Sequence, residues 1–276
     1  MSSPASPGRI ARVFAALHAR REVAFIPFIT AGDPDLETTA EALLTLDRNG
    51  ADVLELGLPY SDPLADGPTI QAAATRALAR GTTPGAVLDL VARLTPELRA
   101  PLIVFTYFNL ILAMGIEAFV GRLAASGASG LLVPDLPVEE GDALQTAANV
   151  HGLDVIWLVA PTSPPERLRR IAERTTAFVY LVSTTGVTGA RAEVASSVRT
   201  SLAQLRALTT RPVAVGFGIS TAEQAHAVAC LGADGVIVGS ACVQLLATAA
   251  PEERLGRLAE FSRQLKEASQ TLPAKS

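Results

Sequence analysis

Short apolar runs alternate along the chain with longer stretches in which apolar residues recur at helical spacing. Such runs are typical of strands buried on both faces of a parallel sheet, and the stretches between them are typical of amphipathic helices. The predicted strands are Val23–Thr30, Asp52–Leu58, Leu102–Tyr107, Gly130–Val133, Asp154–Val159, Ala177–Val182, Pro212–Gly216 and Asp234–Val238. The predicted helices are Ile10–Ala19, Leu36–Arg48, Thr69–Leu78, Pro84–Leu94, Ile116–Ala125, Val138–Val150, Pro165–Glu173, Val194–Leu208, Thr221–Leu231 (N-capped by Ser220) and Glu252–Glu267.

This alternation predicts an α/β fold, a single-domain parallel (β/α)8 TIM barrel with an extra helix before the first strand. An open doubly wound sheet would often carry G-x-G-x-x-G after its first strand, and no such motif follows Val23–Thr30. Neither a linker nor a change of composition interrupts the pattern. We therefore expect one domain over residues 1–276, with loose tails at residues 1–8 and 269–276.

Glu55 places a carboxylate in the middle of an apolar strand. Alternation with period two sets Val53, Glu55 and Gly57 on one face and three leucines on the other, so Glu55 is expected to point into the barrel. A buried carboxylate either shifts its pKa or finds a partner. Glu55 is therefore either a working acid/base or a structural glutamate bonded to a neighbouring hydroxyl such as that of Tyr107.

The loop after this strand carries two further carboxylates, Asp62 and Asp66. Aspartate next to proline or glycine is common in turns, so each of them, taken singly, is explained by turn chemistry. A compact loop would still bring Asp66 to the same ligand as Glu55. Two carboxylates in different environments can hold different protonation states, which is a recurring arrangement in acid–base catalysis.

Glycine-rich loops follow the sixth, seventh and eighth predicted strands, at Ser183–Ala190, Gly216–Ser220 and Gly239–Ala241. Parallel barrels often bind phosphate with their last loops and the N-terminus of a short helix, where backbone N–H groups can approach the anion. A single loop of this kind would be explained as well by tight turns. Three of them at the expected strand ends indicate a site for a phosphate or a similar anion.

Composition narrows the classes of partner. The net charge is −4 and no run of lysine or arginine occurs, which argues against nucleic acid or an anionic membrane. No apolar stretch reaches the length of a membrane-spanning helix, so we expect a cytoplasmic protein. Cys230 and Cys242 are predicted to be small buried residues. His18, His151 and His226 lie away from the strand ends and show no metal-ligand spacing, so no metal is expected.

The stretch Leu54–Gln71 resembles the signature of the alpha subunits of tryptophan synthases. The likeness runs from about Ile10 to Leu246. It is supported by Phe25–Pro34, Thr106–Asn109, Pro134–Pro137, Ser183–Gly189, Gly216–Ser220 and Gly239–Ala241. The resemblance implies a lyase that cleaves indole-3-glycerol phosphate to indole and glyceraldehyde 3-phosphate by a retro-aldol reaction, without a cofactor.

The resemblance also implies a role for each site residue. Glu55 would be the general acid/base, and Asp66 would meet the indole N–H. Phe28 would contact the indole, and Tyr107 would line the site beside the acid/base. Thr188, in a mobile sixth loop that closes over the site, would bond the Asp66 carboxylate. The phosphate would be held by Gly189, Phe217, Gly218, Gly239 and Ser240.

A beta subunit is the partner that the resemblance implies. The family works as an α₂β₂ complex in which the beta subunit carries pyridoxal phosphate and receives the indole. Pro59–Asp62 and Asp135 would lie toward that partner. Three other interpretations remain open from the residues alone: a stand-alone lyase that releases indole, a non-catalytic barrel that binds a phosphate ligand, and another phosphosugar enzyme.

Overall fold

The computed structural model describes residues 8–182, 191–216 and 218–270, and it confirms the predicted α/β barrel. The described residues form nine parallel strands: β1 Ala24–Thr30, β2 Leu54–Gly57, β3 Leu102–Phe105, β4 Gly130–Leu132, β5 Asp154–Ile156, β6 Leu158–Val159, β7 Val179–Val182, β8 Val213–Gly216 and β9 Gly235–Val238. They also form twelve helices: α1 Arg9–Arg20, α2 Leu36–Arg48, α3 Pro68–Ala79, α4 Pro84–Leu94, α5 Phe108–Met114, α6 Ile116–Ala125, α7 Asp142–Val150, α8 Pro165–Arg174, α9 Arg191–Leu208, α10 Ala222–Cys230, α11 Ser240–Thr248 and α12 Pro251–Gln270.

The barrel closes at the fifth predicted strand, which Trp157 divides into β5 and β6. The strand order is β5-β4-β3-β2-β1-β9-β8-β7-β6, so the two halves of this one predicted strand form the two ends of the sheet. Tyr180 N donates to Trp157 O at 3.1 Å, directly before the pairing of β6 with β7. The Trp157 indole N–H donates to the Gln145 side chain on α7 at 3.1 Å. Trp157 therefore bridges the interruption in an otherwise continuous strand.

Alternation along β2 separates the barrel interior from the layer between the strands and the helices. Leu54, Leu56 and Leu58 are buried in the large outer core against the helices, whereas Val53 is buried in the interior core. Glu55 lies two residues beyond Val53 and therefore shares its inward face. The apolar pattern of this strand thus carries the carboxylate into the barrel.

Helix α1, the predicted extra helix, closes the N-terminal end of the barrel. Its Ile10, Phe14 and Leu17 are buried in the interior core together with Val53. The rings of Phe14 and Phe178 lie 5.2 Å apart. Burying a large apolar side chain contributes roughly 1.5–3 kcal/mol, so these three residues fix α1 firmly beneath the strands. The barrel interior is therefore apolar at the N-terminal end of the strands, and its polar residues lie at the C-terminal end.

Two helices were missed by the sequence analysis. Helices α5 and α11 begin directly after the loop ends of β3 and β9, where only loops were expected. Helix α7 begins four residues later than predicted, at Asp142 instead of Val138. The N-cap of α10 is Thr221 and not Ser220, because the Thr221 hydroxyl accepts from Gln224 N at 3.3 Å.

Burial also differs from expectation at two positions. Cys242 is buried as predicted, but Cys230 is exposed at the end of α10, where its Sγ lies 3.4 Å from His226 Nε2. Ser269 lies inside α12 and is buried, so the last helix extends two residues into the segment expected to be a loose tail.

Within the described ranges, none of the single helices is both long and apolar enough to cross a membrane. Helices α5 and α6 pass that criterion only when they are joined, and they meet at a bend of 98°. The same ranges contain no group of three histidine, cysteine, aspartate or glutamate side chains placed to hold a metal ion.

Candidate active site

Glu55 lies in the barrel interior near the loop ends of the strands, and only 2% of its surface is exposed. Its partners in register are Phe28 on β1 and Ile103 on β3, both apolar. Among the described residues, Glu55 Oε1 has no hydrogen-bond partner, and neither does Oγ1 of Thr30 at the end of β1. Burial, reinforced by the charge of Asp66, raises the pKa of Glu55 from 4.5 to about 8. Glu55 therefore carries a proton at neutral pH.

Asp66 lies on the loop between β2 and α3, where Tyr107 holds it. The Tyr107 hydroxyl donates to the Asp66 carboxylate and accepts from Ala65 N at 3.2 Å. The Gln71 side-chain amide donates to Asp66 O at 2.8 Å. Tyr107 therefore pairs with Asp66 and not with Glu55, so the alternative of a structural Glu55–Tyr107 pair is wrong.

The two carboxyl groups differ in protonation. Burial raises the pKa of Asp66 from 3.8 to about 6, and the bond from Tyr107 opposes that rise. Glu55 has no such donor among the described residues, and its pKa is about 8. Between these values, Glu55 is a neutral acid and Asp66 is an anion. The site therefore offers a proton and a fixed negative charge at the same time.

Tyr180 is a site residue that the sequence analysis missed. Its pKa is raised by burial and by the charges of Glu55 and Asp66, so it lies near both carboxyl groups. Its ring packs against Gly216, where an added Cβ would lie 2.5 Å from the Tyr180 hydroxyl oxygen. The available signal was alternation on β7, which sets Tyr180 on the inward face with Phe178.

Aromatic rings form a wall from β1 to the loop after β3. The ring centroids of Phe28 and Phe105 lie 5.5 Å apart at an interplanar angle of 76°, and those of Phe105 and Tyr107 lie 6.2 Å apart at 74°. Edge-to-face contacts of this kind are favourable for aromatic pairs. Flat apolar ligands bind well to such surfaces when a few polar groups fix their orientation. Phe28 thus lies where an indole ring could pack against it, at the level of Glu55.

Gly57→Ala is expected to displace the Phe28 ring and weaken substrate binding. An added Cβ at Gly57 would lie 2.5 Å from Phe28 Cζ, so the ring must move. Overpacking of this kind costs about 1–3 kcal/mol. If the whole cost is lost from substrate binding, KM rises roughly 5-fold to 160-fold. Steady-state kinetics of the variant would measure the rise. A variant with unchanged KM and kcat would show that Phe28 does not contact the substrate.

The loop after β9 leads into the N-terminus of α11, with Gly239 as the N-cap and Ser240 as the first helical residue. The first intrahelical bond joins Val243 N to Gly239 O at 3.1 Å, so the N–H groups at 240–242 have no partner within the helix. An added Cβ at Gly239 would lie 3.5 Å from Phe28 Cδ1. A helix end suited to an anion thus lies beside the aromatic wall.

The other predicted phosphate residues are placed only in part. Gly218 follows β8 with φ of +68°, a left-handed conformation that favours glycine. Thr188, Gly189 and Phe217 lie outside the described residues. Their predicted contacts with the phosphate and with Asp66 therefore stay predictions.

Three acidic residues at the loop ends have structural partners. Asp33 forms a two-pronged ion pair with Arg76 of α3, with distances of 2.9 and 2.7 Å. Asp135 accepts from Phe108 N at 2.9 Å at the start of α5. Asp62 is exposed and accepts from the Ser61 hydroxyl at 2.6 Å. These contacts hold the loops and helices around the site in place.

The pH dependence of stability should report the buried Glu55 directly. Its pKa is about 8 in the folded chain and 4.5 ordinarily, so its contribution to stability is full below pH 4.5 and is lost as pH rises through 8. Glu55→Gln removes this loss. We expect the variant to gain free energy of unfolding over the parent as pH rises from 5.5 to 8.5, by about 3–5 kcal/mol at most. Urea unfolding at both pH values measures the gain, and a difference that is independent of pH would contradict it.

The chain matches known proteins along nearly its whole length. The family described as "Tryptophan synthase alpha chain" matches residues 14–270. The tryptophan synthase alpha chain of Gloeobacter violaceus is 95% identical over 276 residues, 100% of both chains. The solved alpha chain from Legionella pneumophila subsp. pneumophila superposes with a TM-score of 0.88 at 32% identity, covering 98% of this chain and 100% of that one.

A structure titled as Mycobacterium tuberculosis tryptophan synthase superposes with a TM-score of 0.86 at 38% identity, covering 96% of this chain and 99% of that chain. The matched region includes both carboxylate positions and the strands and loops that carry them. The chain therefore belongs to the tryptophan synthase alpha chain family.

Proposed function

We propose that Glu55 is the general acid and base, and Asp66 the fixed anion, in the reaction that this family catalyses. That reaction is the retro-aldol cleavage of indole-3-glycerol phosphate to indole and glyceraldehyde 3-phosphate, a step of tryptophan biosynthesis. It makes the chain a carbon–carbon lyase. The observation that carries the assignment is that, at neutral pH, Glu55 is protonated and Asp66 is ionised.

The reaction begins with a proton transfer to carbon. Protonated Glu55 gives its proton to C3 of the indole, and the ring becomes an electron-poor iminium ion. Positive charge then resides on the ring nitrogen, where the Asp66 carboxylate accepts a hydrogen bond from the N–H and stabilises the charge. An anion that is already in place where positive charge develops lowers the activation barrier of this proton transfer.

Bond cleavage follows with the same glutamate acting as a base. Glu55, now ionised, takes the proton of the hydroxyl on the carbon attached to C3. The electron pair of that O–H bond forms the aldehyde carbonyl, the carbon–carbon bond breaks, and its electrons return to the ring as neutral indole. Glu55 ends protonated, as it began, so no cofactor or external acid is consumed.

The remaining predicted residues would orient the substrate. The indole ring would pack against Phe28, and Tyr107 would hold Asp66 toward the ring nitrogen. The phosphate would bind at Gly239 and Ser240 on α11, together with Gly218. Thr188, Gly189 and Phe217 complete this proposal from the sequence alone. Phe28 belongs to the aromatic wall and also lies beside the helix end at Gly239, which suits a substrate with an aromatic ring at one end and a phosphate at the other.

We infer that a beta subunit is the partner and that it receives the indole. The superposed Mycobacterium tuberculosis structure is titled as tryptophan synthase, and an alpha chain is one component of that enzyme. An α₂β₂ assembly, the docking of Pro59–Asp62 and Asp135 on the partner, a cytoplasmic location and a single domain over the whole chain complete the proposal.

An indole-release assay tests the proposed function. The chain is incubated with indole-3-glycerol phosphate, and indole is measured with and without an added beta subunit. We expect slow release by the chain alone and faster turnover with the partner. Full activity without the partner would favour a stand-alone lyase. No indole, together with turnover of another phosphosugar, would overturn the assignment.

The activity should depend on pH through both carboxyl groups. Productive binding requires ionised Asp66 and protonated Glu55, whose pKa values are about 6 and about 8. We expect kcat/KM to form a bell with limbs near these values, since this ratio reports groups of the free enzyme. Rates measured from pH 5 to 9 in buffers of constant ionic strength give the profile. A rate that keeps rising above pH 8 would contradict a protonated Glu55 as the starting acid.

A further inference from the structure

Tyr60 lies at the start of the loop between β2 and α3 and packs on a residue of the site. Its ring stacks on the Tyr107 ring, with centroids 5.0 Å apart and an interplanar angle of 27°. Its hydroxyl accepts from the Asn109 side-chain amide at 3.2 Å. The other end of the same loop also meets Tyr107, because Ala65 N donates to the Tyr107 hydroxyl at 3.2 Å. Both ends of one loop therefore contact the same aromatic residue.

We propose that Tyr60 is a positioning residue, which holds the Tyr107 ring by stacking and thereby keeps the Tyr107 hydroxyl on the Asp66 carboxylate. The proposal rests on the function proposed for Asp66. Tyr60 itself does not touch the reacting atoms. Its action passes through Tyr107, whose hydroxyl is the donor that Asp66 uses.

The loop has few other means of holding the Asp66 side chain. Its internal backbone bonds run from Leu64 N to Asp62 O at 2.9 Å and from Asp66 N to Pro63 O at 3.0 Å. The Gln71 side-chain amide donates a hydrogen bond to the loop at the backbone carbonyl of Asp66. These contacts fix the backbone, and among the described residues it is the Tyr107 hydroxyl that donates to the Asp66 carboxylate. Leu64, between the two contact points, is 93% exposed, so the middle of the loop does not pack on the barrel.

The Tyr107 ring in turn depends on Tyr60 for one of its faces. Phe105 meets it edge-on at 6.2 Å, and Tyr60 is the residue that stacks along its plane. Asn109, in the first turn of α5, anchors the Tyr60 hydroxyl, so the stack is attached to a helix as well as to the loop. Removing the Tyr60 ring would free the Tyr107 ring to tilt and would weaken the bond from its hydroxyl to Asp66.

The pKa of Asp66 is sensitive to the hydrogen bond from the Tyr107 hydroxyl. The titratable groups that face Asp66 are Glu55, Tyr107 and Tyr180. Of these, Tyr107 supplies the bond that lowers the pKa of Asp66 against the effect of burial. Loss of the bond should therefore raise that pKa further, whereas a loss of packing elsewhere would not.

The test is a ¹³C NMR titration of the Asp66 side-chain carboxyl in the full chain labelled with ¹³C-aspartate, with Asp66→Asn used to assign the signal. Tyr60→Leu removes the stack, and Tyr60→Phe keeps it while losing the hydroxyl. We expect the midpoint to rise by about one pH unit in Tyr60→Leu, since a hydrogen bond to a charged group has about that effect. The Asp66 midpoint of Tyr60→Phe should stay close to that of the parent. The midpoint of Tyr107→Phe gives the full shift that follows from loss of the donor.

Leu64→Ala is the matched control on the same loop, because the Leu64 side chain is exposed to solvent. Its Asp66 midpoint should equal that of the parent. An unchanged midpoint in folded Tyr60→Leu would overturn the proposal, and Tyr60→Met is the second variant if Tyr60→Leu does not fold. The titration does not depend on catalysis. If Asp66→Asn retained full activity, the proposed function would fail, yet the midpoints would still decide the role of Tyr60.

Discussion

Glu55→Gln is expected to reduce kcat for indole release by about 10²–10⁴-fold, the usual contribution of a positioned general acid or base. Glutamine keeps the shape of the side chain and can neither give a proton to C3 nor accept one from the hydroxyl. Both halves of the reaction therefore lose their proton carrier. KM should change little, because Phe28 and the α11 N-terminus, where the substrate would be held, are untouched.

The measurement is a single-turnover assay at pH 7, in which limiting substrate is mixed with excess protein. This assay separates the chemical step from product release. Glu37→Gln is the control, since this glutamate is exposed and pairs with Arg93 far from the barrel interior. Circular dichroism establishes that the Glu55→Gln chain is folded. Equal rates of indole release in Glu55→Gln and in the parent would show that another group carries the proton.

Asp66→Asn is expected to lower kcat by about 10²–10³-fold, the range found when a preorganised stabilising group is removed from a site. The neutral amide occupies the same space but cannot stabilise positive charge on the ring nitrogen. The replacement should also change the pH profile in two ways. The acid limb near pH 6 should disappear, because Asp66 is the group that titrates there.

The basic limb should move to lower pH in the same variant. The negative charge of Asp66 is one of the two causes that raise the pKa of Glu55, and the amide removes it. Asp89→Asn, an exposed residue paired with Arg122 on the outer surface, is the control and should keep both limbs. An Asp66→Asn profile that keeps the acid limb near pH 6 and leaves the basic limb at its parent position would contradict the assignment of both pKa values.

The strand–helix alternation and the inward direction of Glu55 could be predicted because each depends on a local period. Leucines at every second position of β2 leave one orientation for the residues between them. Glycine at three successive predicted strand ends led in the same way to the prediction of a phosphate site, which stays a prediction. These features follow from residue types a few positions apart, which is the range over which a sequence pattern carries information.

The partners of the site residues could not be predicted, because they come from distant segments. From the sequence, the Tyr107 hydroxyl was considered as a partner of Glu55, whereas the fold of the intervening loop brings it to Asp66. Tyr180 was hidden in an apolar run because tyrosine is common in buried strands. Helix α5 was missed because it begins at Phe108, directly after the predicted strand Leu102–Tyr107, so no turn signal separates the two.

Helix α1 makes the catalytic end of the barrel depend on the opposite end. Its three apolar side chains pack beneath Val53, and Glu55 is the next inward residue on that strand. A chain that lacked this helix would admit solvent to the barrel from below, and hydration would return Glu55 to the acidity of an ordinary carboxyl group. Such a chain could keep each proposed substrate-binding residue and still lose the Glu55 proton with which the proposed reaction begins. In protein engineering, truncation of the first helix should therefore be avoided, because this helix helps to keep the pKa of Glu55 high.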